Sequence, residues 1–288
     1  MQPVHPPEGI VMSRRPLRLI TRLGLALLVS LTALAAPAAQ ATATIPSSMA
    51  ALGDSITAGF NACGWYVECR SMTWSTGTDS RVRSHYTRLL AKNPEIQGHA
   101  YNYAVSGAKV ADLDNQASKA VRQNVQYVTI LIGANDACTS SESTMTPVST
   151  FETRFRAAMD TLESGLPDAA IFVSSIPDIK RLWYVLKNNP AARSVWAFAG
   201  ICQSMLANPT STAAADEARR DRVRQRVIDY NTVLARVCAE YPTCEFDDNA
   251  VFDYPFVASQ ISSWDYFHPN KAGQTVLAEV TYRNGFGW

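Results

Sequence analysis

A serine directly follows an apolar run early in the chain, in the order Gly53-Asp54-Ser55. The run Met49–Leu52 predicts a buried strand, and glycine, aspartate and serine are ordinary residues of the turn that ends a strand. A serine hydroxyl at such a position becomes a nucleophile when a neighbouring base takes its proton. We therefore predict that Ser55 is a nucleophile, provided that the rest of the chain supplies a base and donors for an oxyanion.

The candidate base for this serine is His268, because an imidazole titrates near neutral pH. Asp265 precedes it by three residues, so that one turn of backbone can bring the carboxylate to the imidazole Nδ1. There it would fix the tautomer and stabilise the imidazolium. The alternative for Asp265 is a loop residue or a helix cap. His85, on a predicted helix, and His99, in a loop before a predicted strand, are expected to be structural.

The sequence also offers three donors for the oxyanion of an acyl-transfer intermediate. The backbone N–H of Ser55 is the first, and that of Gly107 is the second, because glycine lets a substrate approach the backbone closely. The third is the side-chain amide of Asn135, an uncharged donor that can be aimed in advance. The neighbouring carboxyls of Asp54 and Asp136 are expected to organise structure and to take no part in the chemistry.

The order of these short blocks resembles that of the SGNH, or GDSL-type, hydrolase superfamily. The blocks are Gly53-Asp54-Ser55-Ile56, Val105-Ser106-Gly107-Ala108, Gly133-Ala134-Asn135-Asp136 and Asp265-Tyr266-Phe267-His268. Isoleucine replaces the leucine of the GDSL tetrapeptide, an apolar exchange that leaves the nucleophile in place. The resemblance covers nearly all of the chain after residue 41. It implies Ser55, Asp265 and His268 as catalytic residues, Ser55, Gly107 and Asn135 as the oxyanion hole, and neither cofactor nor metal.

Further stretches are similar to the secreted bacterial phospholipase B and lipase-like branch of that superfamily. They are residues 74–79, 93–98, 102–108 and 133–138. This resemblance implies hydrolysis of the carboxylic esters of lipids, in particular phospholipids, by a phospholipase A- or B-like enzyme. A carbohydrate acetyl esterase or short-chain esterase is the alternative. An inactive binding protein on the same scaffold is a more remote one.

The elements that must position these residues alternate between strands and helices. Four apolar runs predict buried parallel strands, at Met49–Leu52, Tyr101–Ala104, Tyr127–Ile132 and Ala170–Ser174. Helical periodicity falls between and after them, most extensively from about Asp216 to Cys238. Such alternation predicts an α/β fold, a three-layer α/β/α sandwich around a mainly parallel sheet, with ligands beyond the carboxyl ends of the strands. The resemblance implies about five strands in a flavodoxin-like order.

Two segments depart from the alternation. Residues 61–78 are rich in tryptophan, cysteine and glycine and predict a loop held by a disulfide. Residues 178–212 carry many aromatic and aliphatic side chains. They predict a helical insertion, which either extends the core or forms an apolar wall or lid for acyl chains.

The first 41 residues have the features of an export signal. Four arginines precede the apolar run 23–36, and Ala39-Gln40-Ala41 is a small-residue cleavage site. Both the general secretory and the twin-arginine routes fit this segment. Removing it leaves 22 basic and 24 acidic residues in a single domain, 42–288. We therefore expect a secreted, extracellular monomer without a nucleic-acid partner or a stable membrane anchor.

All six cysteines follow the predicted cleavage site, and an even number in an exported chain favours disulfides over a zinc site. Fifteen connectivities are possible. The suspected pairs are Cys63–Cys69 and Cys238–Cys244, which close short loops, and Cys138–Cys202, which joins distant segments.

Overall fold

The computed structural model of the protein describes residues 44–288. The predicted export signal, residues 1–41, lies outside this range. Within the described range, no helix has both the length and the apolar character that crossing a membrane requires.

Five strands form one parallel sheet, in agreement with the predicted fold class. They are β1 Met49–Gly53, β2 Ala100–Asn102, β3 Tyr127–Leu131, β4 Ala170–Val173 and β5 Cys244–Phe246. Their order across the sheet is β2-β1-β3-β4-β5, which is the flavodoxin-like order. β1 and β3 are buried along their whole length because helices cover both faces, whereas the edge strands β2 and β5 are half-buried.

Helices connect these strands throughout residues 44–288. They are α1 Ser55–Ala58, α2 His85–Leu90, α3 Leu113–Arg122, α4 Ala134–Ala137, α5 Val148–Gly165, α6 Ile179–Leu186, α7 Pro190–Phe198, α8 Gln203–Leu206, α9 Ala214–Cys238, α10 Ala250–Asp253 and α11 Lys271–Arg283. Short 3₁₀ turns lie at Arg70–Met72, Pro94–Ile96, Val110–Asp112, Glu142–Thr144 and Ala258–Gln260. α3, α5 and α9 pack together over one face of the sheet, and α2 and α11 cover the other. The result is the predicted three-layer sandwich.

The carboxyl ends of the three adjacent strands β2, β1 and β3 bring their loops together. Gly53 pairs with Leu131 at the end of β1 and β3. On the other side of β1, the N–H of Val105 donates to the carbonyl of Gly53 over 3.2 Å. The segments that follow these strands therefore meet at one edge of the sheet, where parallel α/β folds bind their ligands.

The four predicted strands and the helix predicted from about Asp216 to Cys238 lie within two residues of their expected bounds, whereas β5 was not predicted. Its three half-buried residues are Cys244-Glu245-Phe246. The glutamate in the middle interrupts any apolar run that could distinguish this strand from a loop. The insertion at 178–212 folds into α6, α7 and α8. Trp183, Trp196 and Met205 from these helices are buried in the core, so that the insertion does extend the core.

The six cysteines form three disulfides in the structure. Cys63–Cys69 closes a loop in the 61–78 segment, Cys138–Cys202 joins the end of α4 to the start of α8, and Cys238–Cys244 joins α9 to β5. These are the pairs considered from the sequence. Of these, Cys138–Cys202 joins two distant segments beyond the carboxyl ends of the strands.

Candidate active site

Ser55 begins the short helix α1, immediately beyond the carboxyl end of β1. Asp54 caps this helix, since its Oδ1 accepts the N–H of Ile56 over 2.9 Å. The strand end itself is fixed by Gln116, whose side-chain amide both accepts from the N–H of Gly53 and donates to its carbonyl. The serine is therefore presented by a backbone that is hydrogen-bonded on both sides.

His268 lies between Ser55 and Asp265 in a continuous hydrogen-bonded chain. The His268 Nε2 is 2.7 Å from the Ser55 Oγ, and its Nδ1 is 2.5 Å from the Asp265 Oδ2. A carboxylate can only accept, and so the Nδ1 carries the proton and the Nε2 is free to accept the serine hydroxyl. This is the relative placement of nucleophile, base and orienting acid that activates a serine.

Asp265 is held as the ionised partner of this histidine. Burial raises its pKa, but the hydrogen bond and charge of His268 and two backbone N–H groups lower it by more, and the resulting pKa lies below the usual value. The two N–H groups are those of Phe267 and His268, and both donate to Oδ1. The other oxygen, Oδ2, remains for the imidazole.

Asn61, which was not predicted from the sequence, also contacts Asp265. The Nδ2 of Asn61 donates to the Asp265 Oδ2 over 2.7 Å, and the Asn61 side chain is fully buried. Asn61 has a left-handed backbone, φ 63°, a conformation that asparagine tolerates better than most residues. The loop beyond it is closed by the Cys63–Cys69 disulfide. This loop was predicted to be pinned by that pair, but not to reach the candidate acid.

The two predicted oxyanion donors from other loops also face Ser55. Gly107 has φ 85°, and a Cβ on it would meet no atom within 4 Å, which means that its backbone borders open space. Asn135 lies in the first turn of α4, and its Nδ2 donates to the carbonyl of Ala108 over 3.0 Å. That bond fixes the plane of the amide. Ser55, Gly107, Asn135 and His268 line one cavity together.

The two other carboxyls of the predicted blocks have structural partners. Asp136 accepts the N–H of Val110 and the hydroxyl of Thr146, and thereby ties the segment after Gly107 to the segment after α4. Burial raises the pKa of Asp136, and it raises the pKa of Asp54 to about 7. Neither carboxyl is hydrogen-bonded to His268, whose Nδ1 partner is Asp265.

Two cavities meet at Ser55 and share Asn135, Phe267 and His268. The first, the apolar cavity, has a volume of about 60 Å³ and is lined by Ile56, Ile179, Leu182, Phe256 and Ile261 among others. The second, the open cavity, has a volume of about 240 Å³ and is lined by Phe60, Tyr66, Gly107, Ile201 and the Cys138–Cys202 disulfide among others. The insertion therefore contributes a wall to the site as well as core, through α6 and the turn before α8.

The remaining described histidines lie away from these cavities. His85 is buried between the sheet and α11, and its ring nitrogens contact the Tyr127 and Thr281 hydroxyls. His99 is exposed, and its Nδ1 contacts the carbonyl of Glu95. Both positions agree with the structural roles expected for them.

Comparison with known proteins places this geometry in a family. The profile of GDSL-like lipases/acylhydrolases matches residues 49–281. No curated protein sequence matches the chain significantly.

Solved structures share the fold at low sequence identity. A lipase from a goat rumen metagenome is 15% identical, with a TM-score of 0.50 over 83% of this chain and 97% of its own. A phospholipase A1 from Streptomyces albidoflavus is 18% identical, with a TM-score of 0.49 over 83% of this chain and 99% of its own. A family 3 carbohydrate esterase from Clostridium thermocellum is 14% identical, with a TM-score of 0.46 over 82% of this chain and 93% of its own. By the match over 49–281, the chain belongs to the GDSL-like lipase/acylhydrolase family and is a carboxylic-ester hydrolase.

Proposed function

We propose that the protein is a secreted serine esterase that hydrolyses the carboxylic esters of lipids, with phospholipids as its substrate class. The observation that carries the serine mechanism is the contact of Ser55 Oγ with His268 Nε2, 2.7 Å long, in line with Asp265. The export signal predicted at 1–41 and the three disulfides support secretion.

The chemical step begins with transfer of the Ser55 hydroxyl proton to His268 Nε2, while Ser55 Oγ bonds to the ester carbonyl carbon. Asp265 stabilises the imidazolium that results. The negative charge on the former carbonyl oxygen is accepted by the N–H groups of Ser55 and Gly107 and by the amide of Asn135, and each such donor is worth about 3 kcal/mol in the transition state.

Breakdown of this intermediate returns the proton. His268 donates it to the leaving alcohol oxygen as the C–O bond breaks, which leaves the acyl group on Ser55. Water then repeats the sequence: it gives a proton to His268, adds to the acyl carbon, and releases the carboxylic acid with the serine restored. The open cavity provides the path for the alcohol and the water.

The apolar cavity supports an acyl chain as the group that is transferred. Its walls are aliphatic and aromatic side chains, and burial of hydrocarbon on them contributes about 25 cal/mol per Å². Ser55, Asn135 and His268 line this cavity, so that an ester carbon bonded to Ser55 Oγ would place its acyl group against these walls. A lipase with a similar fold supports lipid esters as the first class of substrate to test.

A carbohydrate acetyl esterase is the second candidate function. The rings of Trp65 and Trp264 lie 5.9 Å apart near the open cavity, and such a pair can stack on sugar rings. An acetyl group would also fit the small volume of the apolar cavity, about 60 Å³.

Hydrolysis assays on three substrates distinguish these candidates. We expect release of fatty acid from a defined phosphatidylcholine and from a long-chain p-nitrophenyl ester, in addition to p-nitrophenyl acetate. Release from both acyl positions would make the enzyme type B. Ser55→Ala must abolish all three reactions, whereas Ser194→Ala, which removes a hydroxyl from α7, must abolish none. Activity confined to the acetate ester would contradict the lipid substrate and favour the second candidate.

A further inference from the structure

Large apolar side chains that are exposed occur at one end of the described molecule. Eight such side chains are exposed within residues 44–288, and each lies within three positions, along the chain, of a residue that lines the apolar or the open cavity. We call this set the exposed rim: Trp65, Tyr66, Val67, Val105, Tyr184, Phe198, Val257 and Trp264. The rim comes from six separate places in the chain, and so a single local irregularity does not explain it.

Contacts connect the rim to the candidate base. Trp65 and Trp264 bring their rings to 5.9 Å of each other, which joins the disulfide-closed loop to the segment of Asp265 and His268. Tyr66 packs against Phe60 at 4.9 Å between ring centroids, and Phe60 packs against His268 at 5.0 Å. The apolar surface therefore runs without interruption from solvent to the reacting groups.

The opposite edge of the sheet has no such surface. The segments at the amino ends of the strands, 44–48, 124–126 and 166–169, contain no exposed large apolar side chain among the described residues. The cavities there are lined by polar residues such as Thr44, Gln126 and Asp168 and by the half-buried Phe286 and Trp288. Exposed apolar patches that are confined to one functional edge mark binding sites.

We propose that the exposed rim docks on the surface of aggregated phospholipid and places the cavity mouth against it. This inference rests on the proposed lipid substrate, because the mouth opens within the rim and a lipid surface supplies the ester at that place. Tryptophan, tyrosine and phenylalanine are the side chains that settle at a water–lipid boundary. A protein partner on the same rim would block the mouth, and a sugar chain would not cover six separate places of the chain.

The charges beside the rim fit a surface of phospholipid head groups. Arg181 and Lys187 lie over the ring of Tyr184, at 5.7 and 5.3 Å from its centroid, where cations can meet head-group phosphates. Glu68, within the disulfide-closed loop, is paired with Arg70 at 2.9 Å and also accepts the hydroxyl of Ser106. The apolar rim and these two cations together favour a phosphate-bearing lipid surface.

The test uses vesicles of ether-linked phosphatidylcholine, which the enzyme cannot hydrolyse, and measures co-sedimentation of the full mature protein. The variant is Tyr184→Ser/Phe198→Ser, because neither side chain lines a cavity and the two are 60% and 97% exposed. We expect its vesicle affinity to fall by about tenfold or more, with p-nitrophenyl acetate hydrolysis retained. Trp288→Ser, which removes a half-buried tryptophan from the opposite edge, is the control and should bind as the wild type does.

The outcomes separate docking from the proposed substrate. Docking is contradicted if wild-type protein does not sediment with the vesicles, or if the variant sediments equally well. If the wild type sediments, the variant does not, and ester-linked phosphatidylcholine is left intact, docking stands and the proposed substrate is wrong. If both proteins hydrolyse phosphatidylcholine vesicles at equal rates and bind them equally, the substrate stands and the docking proposal is wrong.

Discussion

Two buried regions of this protein are each built around a histidine, and their surroundings differ in one decisive respect. His268 faces a carboxylate on one side and a serine hydroxyl on the other. His85 faces hydroxyls on both sides, Tyr127 at 2.8 Å and Thr281 at 2.7 Å. Both imidazoles therefore have two partners, but only His268 has one that can stabilise a positive ring.

The hydroxyls around His85 hold a single neutral tautomer. The Thr281 hydroxyl donates to the carbonyl of Leu277, and so its oxygen accepts from the His85 Nε2. Nδ1 is then the acceptor for the Tyr127 hydroxyl, and both ring nitrogens have hydroxyl partners, neither of which carries a charge that would stabilise a second proton. Burial lowers the pKa of His85 to about 3, with a smaller contribution from the charge of Arg88. A histidine becomes a base through its partners, and the comparison predicts unequal effects of the same substitution at the two positions.

The largest effect on activity is expected from His268→Gln. Without the imidazole, nothing takes the Ser55 proton, and kcat should fall by about 10⁴-fold or more, as for removal of a member of a catalytic triad. The same change at the other site, His85→Gln, should leave kcat unchanged at neutral pH. Steady-state hydrolysis of p-nitrophenyl acetate by both variants checks this, and equal losses would remove the distinction between the two regions.

Asp265→Asn should have the next largest effect. The amide keeps the shape of the side chain but removes the charge that stabilises the imidazolium, and we expect kcat to fall by about 10²- to 10³-fold. The KM should change little, because Asp265 is buried behind His268 and the ester reacts on the opposite side of the ring. The same assay at saturating ester measures the loss, and a kcat within a factor of a few of the wild type would show that the carboxylate is dispensable.

Much of the fold follows from local sequence. The strands β1 and β3 are covered on both faces, and their apolar runs have no polar alternation. They can therefore be predicted from the sequence as buried parallel strands. The order of short blocks after these strands carries the resemblance to the family, and the match over 49–281 confirms it. β5, an edge strand of three half-buried residues with a glutamate in the middle, was not identified from the sequence.

The contacts of single polar residues could not be predicted in the same way. Asn61 is 204 positions from Asp265, and nothing in the local sequence indicates that the two side chains meet. The tertiary fold decides such pairs. The same holds for His85, whose partners lie 42 and 196 positions away. The only signal in the sequence was an asparagine before a cysteine loop, and it is equally typical of an ordinary turn.

Asn61 is therefore predicted to be a positioning residue, which acts through Asp265. Asn61→Gly keeps the left-handed backbone and removes only the amide, and we expect kcat to fall by about tenfold with an unchanged KM. The matched control is Asn124→Gly, at another left-handed asparagine, φ 51°, beyond the amino edge of β3. Rates are expressed per active site titrated with a fluorophosphonate. A loss seen only in the titrated fraction, with normal kcat per site, would indicate a structural role.

The smallest effect on activity and a distinct effect on stability are expected at His85. Its pKa is about 3 in the folded protein and about 6.5 in the unfolded chain, so that between these values the unfolded state binds the additional proton. The free energy of unfolding that comes from neutral His85 is therefore fully present above pH 6.5 and is lost as the pH falls towards 3. The span corresponds to on the order of 4 kcal/mol.

Urea unfolding of wild type and His85→Gln at several pH values isolates this contribution. Glutamine does not titrate, so the stability difference between the two proteins should be largest at pH 7 and shrink as the pH is lowered through the range 6.5 to 3. The buried Asp54 acts in the opposite direction in both proteins, since burial raises its pKa to about 7, and it cancels in the difference. If the plots of unfolding free energy against pH ran parallel for the two proteins, His85 would accept a proton in the folded state. The Tyr127 and Thr281 hydroxyls would then not explain why it differs from His268.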